Sequence, residues 1–395
     1  MTQKRIMILG GNIVQAEATR TARRLGYYTI STDVHPNNPG HAIADEYCNV
    51  DVIDREAVLR EARRLHIDGI VPYASDVLAP VAAFVAEALG LPGNPSAAVE
   101  TLTHKNRFRE FLINNGFPAP RGKAFCNMEE AAAFFNTLDG PAMMKPVDNA
   151  GSKGVFKVES AEDIRLHWQE SMGYSLEGTV LIEEFIERQG LQQDGDIFVI
   201  DGRIAFWGLG DQHRDMSVAP FVPVAHTFPS TMPENYRHEA QTLVQRILSA
   251  LNFRQGPCNV EYIVDKKGRV FIMEIGPRNG GNLIPQALQE ATGTDFTALT
   301  LRQAVGEEVE ITSPDYKTNA ATVVLHAHND GILRGVDIAP EYRQNQVNAF
   351  MFRNPGDAVR RFHNAGDAIG TMTFRFDDRD RMLDFIENGV TISLT

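Results

Sequence analysis

Cysteine is scarce in this 395-residue sequence: Cys48, Cys126 and Cys258 lie far apart, with no Cys-x-x-Cys pair. Such spacing indicates neither a zinc motif nor a disulfide framework and fits a reducing cytoplasm. Long apolar runs are missing too. The N-terminus reaches only Ile6 to Leu9 before Gly10-Gly11-Asn12, far short of a signal h-region or a membrane span, so no membrane partner is expected. Nor is there a basic surplus. A formal net charge of -13 argues against broad nucleic-acid binding, while leaving room for a local basic site. No repeat and no long low-complexity linker is visible.

What is present is a composition of 43% hydrophobic and 23% charged residues, enough for a large core and two or three domains. Arg5 to Leu9 reads as a buried strand ending at glycines. Ala18, Ala22 and Leu25 then recur at helical spacing before Gly26 and a second strand, Thr29 to Thr32. A further strand, Gly69 to Val71, precedes Val81, Phe84, Val85, Ala88 and Leu89 on one helical face, and the unit closes at Gly90-Leu91-Pro92. Residues 1 to about 95 are therefore expected to form a small doubly wound α/β domain.

Beyond it the pattern turns to α+β. Ala142–Lys145, Val155–Val158, Val180–Ile182, Ile197–Ile200, Arg203–Trp207, Asn259–Val264 and Val270–Glu274 read as strands, and Asp201-Gly202 as a hairpin turn implying antiparallel sheet. The tail from about 306 carries more short strands, broken at Asn329-Asp330-Gly331 and Asn354-Pro355-Gly356, and a helix near Asp378 to Asn388.

Two glycine clusters invite a phosphate reading. Gly10-Gly11-Asn12, with Asp33 ending the second strand, sits where a dinucleotide fingerprint would. Its spacing is not G-x-G-x-x-G, which favours a strand-to-helix turn over nicotinamide binding. The second cluster, Asp148-Asn149-Ala150-Gly151-Ser152-Lys153-Gly154-Val155, follows Lys145-Pro146 and joins two strands, so it is not a Walker A loop. Its small residues let backbone N–H groups approach phosphate oxygens, with Lys145 and Lys153 supplying charge. A hairpin with two solvated lysines fits the same residues.

The run Val180 to Ile186 ends a buried strand in Glu183-Glu184-Phe185-Ile186. It reads either as a solvated strand end or as a hinge whose backbone contacts adenine, with Asp194 or Asp196 near ribose. Asn259 to Glu274 is more informative. A hairpin turn centred between Lys267 and Gly268 would set Glu261 opposite Glu274, Cβ atoms about 5 Å apart. Like charges so placed repel unless neutralised, and Mg²⁺ prefers such hard oxygen donors; an exposed edge pair facing water is the alternative. Arg278 and Gly280-Gly281 follow at once, suiting phosphoryl or carboxylate recognition.

The order Lys105, Lys145-Pro146, the glycine loop, Glu183-Glu184-Phe185-Ile186, Glu261 and Glu274 to Arg278 resembles the ATP-grasp superfamily over roughly residues 1 to 305. Gly90-Leu91-Pro92-Gly93 before Lys105, and Gly116-Phe117-Pro118-Ala119-Pro120 after it, resemble biotin carboxylase-like and carbamoyl-phosphate synthase-like members. The resemblance implies a doubly wound pre-ATP-grasp domain (1–95), a two-subdomain ATP-grasp fold (96–305, lid about 120–187) and a small C-terminal α+β domain (306–395). It implies that Lys105, Lys145, Ser152, Lys153 and Gly154 surround the phosphates of ATP, that Glu183 to Ile186 border adenine, and that Asp194 and Asp196 lie near ribose. Glu261 and Glu274 would hold Mg²⁺, with Mn²⁺ as a substitute, and Arg278 would act on the transferring phosphoryl group. A homodimer would be unsurprising. One departure stands out: many relatives carry Asn two positions after the second metal acid, where this chain has Gly276, so a metal ligand is missing or comes from Asn279 or Asn282. That glycine, with Gly331-Ile332-Leu333-Arg334-Gly335-Val336 and Asn354-Pro355-Gly356-Asp357, is similar to the L-amino-acid ligase branch.

The activity implied is a carboxylate–amine ligase working through an acyl phosphate on small-molecule substrates. Substrate selection is expected from Gly210 to Asp215 and Phe221 to His226, with His213 or Arg214 gripping a carboxylate, Asp215 an ammonium, and His226, Gly280 and Gly281 nearby; a surface loop of solvated charges fits the same stretch. Two other readings stand beside it: an enzyme activating bicarbonate or formate, and a nucleotide-binding regulator without turnover.

Overall fold

The computed structural model describes residues 3–311 and 315–395. Strands β1 (Arg5–Leu9), β2 (Tyr28–Thr32), β3 (Glu46–Cys48) and β4 (Gly69–Val71) form a parallel sheet in the order β3-β2-β1-β4. Successive strand side chains face opposite sides, and β1 is apolar on both. Ile6 and Ile8 pack with Ala18 and Ala22 of α1 (Ile13–Arg24), and with Leu301 and Val305 from far along the chain. Past the short α2 (Pro39–Ile43), Met7 and Leu9 pack with Val58 and Ala62 of α3 (Arg55–Leu65) and Val81 and Val85 of α4 (Ala79–Leu89). The sheet is thus doubly wound, as expected.

The first glycine cluster is a turn. Gly10 adopts φ 87°, Asn12 caps α1 by accepting from Val14 N–H, and a Cβ on Gly11 would stand 2.3 Å from the His41 ring. Asp33 accepts from His35 N–H and Asn38 Nδ2–H, within its own loop.

Helices α5 (Ser96–Thr103) and α6 (Lys105–Asn114) lead into a second sheet, β5 (Gly122–Phe125), β6 (Ala142–Pro146), β7 (Phe156–Val158) and β8 (Val180–Glu184), antiparallel in the order β5-β8-β6-β7. Ala131 of α7 (Met128–Phe135) and Ile164 and Trp168 of α8 (Ala161–Gly173) join Phe125, Met144 and Ile182 in its core. The second glycine loop is the tip of the β6–β7 hairpin.

The third sheet begins with β9 (Gln192–Ile200), β10 (Arg203–Arg214) and β11 (Pro223–Phe228), continues after α9 (Glu234–Ala250) with β12 (Gly256–Val264) and β13 (Val270–Gly276), and is followed by α10 (Ile284–Thr292) and α11 (Phe296–Ala304). Asp201 (φ 49°) and Gly202 (φ 75°) make the expected β9–β10 turn, both in the left-handed region that two-residue hairpins use. The tail adds β14 (Asn319–Leu325), β15 (Gly331–Ile338), β16 (Gln346–Met351), β17 (Ala358–Val359), β18 (Gly370–Phe376), α12 (Arg379–Asn388) and β19 (Val390–Leu394). Three of its strands continue the central sheet, whose order is β13-β12-β9-β10-β11-β14-β18-β16. Among the described residues, β17, β15 and β19 form a small sheet of their own. No helix among the described residues is long and apolar enough to cross a membrane.

Candidate active site

A cleft of about 620 Å³ lies between the β5–β8 sheet and the central sheet. The lid side supplies Lys105, Lys145, the loop from Asn149 to Lys153, and Glu183 to Ile186. Opposite them stand Arg214, Glu261, Glu274, Arg278 and Gly281. These residues, scattered in sequence between positions 105 and 281, thus line one cleft.

The acidic pair forms by a different register from the one expected. The β12–β13 turn is centred on Lys267, with Asp265 N–H donating to Arg269 O, so Val264 faces Val270 and Tyr262 faces Ile272. Continued unbroken, that register would set Glu261 against Met273. A bulge between Glu261 and Tyr262 admits one extra residue and brings Glu274 opposite Glu261. Burial, then the charges of Asp194 and Glu274, pushes the Glu261 carboxyl up to about 8. Gln192 Nε2–H is its neutral hydrogen-bond donor. Two carboxylates held together this way fit a hard divalent cation, which would supply the missing positive charge.

Lys145 is positioned by a buried ion cluster. Its Nζ lies 2.5 Å from Glu183 Oε1, while Arg109 Nε donates to Glu183 Oε2 at 2.7 Å. Burial alone would raise the Glu183 carboxyl; Arg109 and Lys145 outweigh it and hold it down to about 2. Glu183 is therefore a support for Lys145 rather than a nucleotide contact. Arg109, 2% exposed, is a participant that sequence reading missed; its one trace is its position four residues after Lys105 on α6, the spacing of one helical face. Lys105 Nζ donates to Asn149 O at 2.6 Å, tying the start of α6 to the glycine loop.

In that loop Gly151 (φ 71°), Ser152 (φ 56°) and Gly154 (φ 67°) are left-handed, a curl that turns successive backbone amides inward. Ser152 Oγ–H donates to Phe221 O at 2.9 Å and Gly151 O accepts from Ala365 N–H, so the closed loop touches both the β10–β11 connection and the tail. Lys153 lines the cleft; Gly154 lies behind it, where a Cβ would meet Ser171 Cα at 3.0 Å. At the hinge, Glu184 N–H donates to Arg121 O and Phe185 N–H to Pro141 O. Ile186 N–H, like those of Glu187 and Arg188, has no backbone partner among the described residues, and Ile186 lines the cleft.

The expected substrate stretch is strand, not loop, because β10 runs on to Arg214. Strand alternation then separates its members. Gln212 and Arg214 line the cleft; His213 does not, its Nε2 lying 2.9 Å from Thr227 Oγ1 and its ring pushed down to about 4 by burial. Arg214 hydrogen-bonds to Gln192 Oε1, Gln212 Oε1 and Pro220 O, all neutral acceptors, and no carboxylate forms a salt bridge with it among the described residues. Burial lowers its pKa to about 10. It is a fixed cation whose direct hydrogen-bond acceptors are all neutral.

Four other candidates are taken up by partners within the protein. His226 is fully buried, Nε2 2.9 Å from Asp194 Oδ2 and Nδ1 3.2 Å from Thr322 Oγ1. Asp194 reaches the cleft but is taken up by His226, Asn259 and Gln212. Both oxygens of Asp196 accept from Gly280 N–H, and burial raises its carboxyl to about 7, so Asp196 anchors the 278–282 turn instead of facing ribose. Gly280 is needed because a Cβ there would stand 2.7 Å from that carboxylate. Asp215 turns away to Ser217, His326 and His328.

Gly276 has a steric cause. Asp76, from the β4–α4 connection, accepts from Arg278 Nη2 at 2.5 Å, and a Cβ on Gly276 would come within 2.6 Å of Asp76 Oδ1. The volume over Gly276 is thus filled by the carboxylate of Asp76, which lines the cleft along with Asn282. Asn279, the other expected substitute, is 1% exposed and does not line the cleft.

Residues 138–286 match the family profile of the ATP-grasp domain. The chain is 26% identical over 385 residues to the uncharacterized protein y4rH of Sinorhizobium fredii, covering 91% of this chain and 77% of that one. It is 29% identical over 345 residues to the formate-dependent phosphoribosylglycinamide formyltransferase of Burkholderia pseudomallei, covering 82% and 80%. Among solved structures, the L-amino acid ligase from Bacillus licheniformis superposes with a TM-score of 0.85 at 22% identity, covering all of both chains, a likeness of fold.

Proposed function

We propose, from the ATP-grasp profile match over residues 138–286, that this chain is an ATP-dependent carboxylate–amine ligase acting on an amino acid or another small carboxylic acid. The observation that carries this reading is the cleft's division of labour: Glu261 and Glu274 are paired on one wall, opposite Lys105 and Lys145, with Arg214 beside them in no salt bridge among the described residues.

Lys105, Lys145 and the inward amides of the 149–153 loop bind the triphosphate, and Ile186 N–H takes the adenine edge. Glu261 and Glu274, helped by Asn282, are the residues that would hold Mg²⁺, whose contribution is to neutralise phosphate charge. Arg214 clamps the substrate carboxylate. One carboxylate oxygen attacks the γ-phosphorus, the bond to the bridging oxygen breaks and ADP leaves; Arg278, aimed by Asp76, stabilises the charge on the transferring group. The amine then attacks the acyl carbon, loses a proton and expels inorganic phosphate. The closed loop keeps water from the acyl phosphate.

The test is release of ADP and phosphate with Mg²⁺-ATP across amino acids, small carboxylates, bicarbonate and formate, singly and with amines, beside Glu274→Ala. Turnover that needs an acid plus an amine and vanishes in the variant supports the ligase. The formyltransferase relative favours a second reading, activation of formate or bicarbonate, and turnover dependent on either would establish it. Tight ATP binding without turnover on any combination would point to a nucleotide-binding regulator.

A further inference from the structure

Away from the carboxylate pair, the residue after β10 meets the end of β14. Asp215 Oδ1 accepts from Ser217 N–H at 2.9 Å and Ser217 Oγ–H at 2.6 Å, which orients the carboxylate and leaves Oδ2 pointing elsewhere. Facing Oδ2 are His326 Nε2 at 3.3 Å and His328 Nε2 at 3.0 Å. His326 Nδ1 lies 2.8 Å from the Val324 carbonyl oxygen, an acceptor only, so Nδ1 carries the ring proton. In the neutral ring Nε2 then directs a lone pair at a carboxylate oxygen. Two acceptors at that distance repel unless a positive charge lies between them.

We propose that Asp215, His326 and His328 form a binding site for a divalent transition cation, with Zn²⁺ the best match. The ligand atoms lie within 4.8 Å of one another, and among the described residues this is the one such group of histidines and acids. Ligands about 2.0–2.1 Å from a tetrahedral Zn²⁺ stand about 3.3 Å apart, close to the two separations observed. The outer hydrogen bonds have the form metal sites use: the imidazole donates its other N–H to a backbone carbonyl, and the carboxylate is itself held. Imidazole donors select zinc, cobalt, nickel or copper over Mg²⁺, so this site and the cleft carboxylates would not compete. His328, 59% exposed, leaves a face for a water as fourth ligand.

The position gives the site a consequence. Asp215 opens the 215–222 loop, whose Phe221 carbonyl accepts the Ser152 hydroxyl of the glycine loop, and the His326 ring lies 5.0 Å from Phe362, which lines the cleft. A cation at Asp215 would pin the surface against which the glycine loop closes. The inference does not depend on the ligase reading.

The test uses the full chain, tag removed and stripped by chelator, in equilibrium dialysis against Zn²⁺ with excess Mg²⁺ present. The expected result is one Zn²⁺ per chain, affinity reduced at least 10- to 100-fold in His328→Ala and unchanged in Glu274→Ala, and Co²⁺ giving tetrahedral visible bands in the parent but not in His328→Ala. The exposure of His328 protects the fold, which circular dichroism verifies. No retained Zn²⁺, or equal retention in His328→Ala, would overturn the proposal. So would nitrogen NMR showing His326 Nε2 still protonated with Zn²⁺ added, which would make the cluster an imidazolium–carboxylate contact.

Discussion

Asp76 and Arg278, 202 positions apart, meet at 2.5 Å across the boundary between the doubly wound sheet and the cleft, and the Asp76 carboxylate occupies the volume over Gly276. Arg278 therefore reaches the cleft already oriented. Asp76→Asn is expected to lower kcat at least tenfold with little change in the KM for ATP. Gly276→Asn alone overpacks the site at a cost of about 1–3 kcal/mol. Combined with Asp76→Ala it should recover part of that stability, and a double-mutant cycle in urea, read beside turnover, checks the coupling. Simple additivity would separate the two residues.

Arg214 is held by two glutamines and a carbonyl, none of them charged. Arg214→Met is expected to raise the KM of the acid substrate about 10- to 100-fold, the loss of a charge-assisted hydrogen bond, while the KM for ATP stays put. Steady-state kinetics with each substrate varied in turn distinguishes this from general damage, which would move both.

Arg109 and Glu183 are nearly sealed from solvent, at 2% and 1% side-chain exposure. Removing one partner of such a pair strands the other's charge, so Arg109→Met should cost about 3–5 kcal/mol in urea unfolding. Arg109→Met with Glu183→Gln should cost less than Arg109→Met alone.

The same pair sets an acid limit. Glu183 is held down to about 2, against about 4.3 in an unfolded chain. A depressed carboxylate contributes stability fully present above the unfolded value and lost as pH falls through the folded one. The gap between wild type and Glu183→Gln, on the order of 2–3 kcal/mol at pH 6, should close progressively from about pH 4.5 to pH 2. Urea midpoints measured across that window provide the check; a constant gap would mean that Glu183 is not ionised by its partners.

Local pattern carried much of this structure. Both faces of β1, the Asp201-Gly202 turn, Asp378 at the start of α12 and the nearness of Glu261 to Glu274 all follow from neighbours in sequence. The last came out right through compensating features: the turn is centred half a residue earlier than expected, and the bulge restores the pairing. Where β10 ends was not legible, and that alone decided that Arg214 faces the cleft and His213 does not. Asp76 and Arg109 act across separations of 202 and 74 residues, where no periodicity reaches. Asp194 and Asp196 were expected near ribose because the strand was read as starting only at Ile197; it starts at Gln192, and their hydrogen-bond partners were not legible.

Because β14 is hydrogen-bonded to β11, the tail cannot be treated as a cassette. A chimera joined near residue 306, or a truncation there, would strip one side of β11 and leave its row of amides and carbonyls open to any passing strand. Recombination between relatives would do better to exchange the β5–β8 lid, whose sheet closes on itself without borrowing a strand from elsewhere.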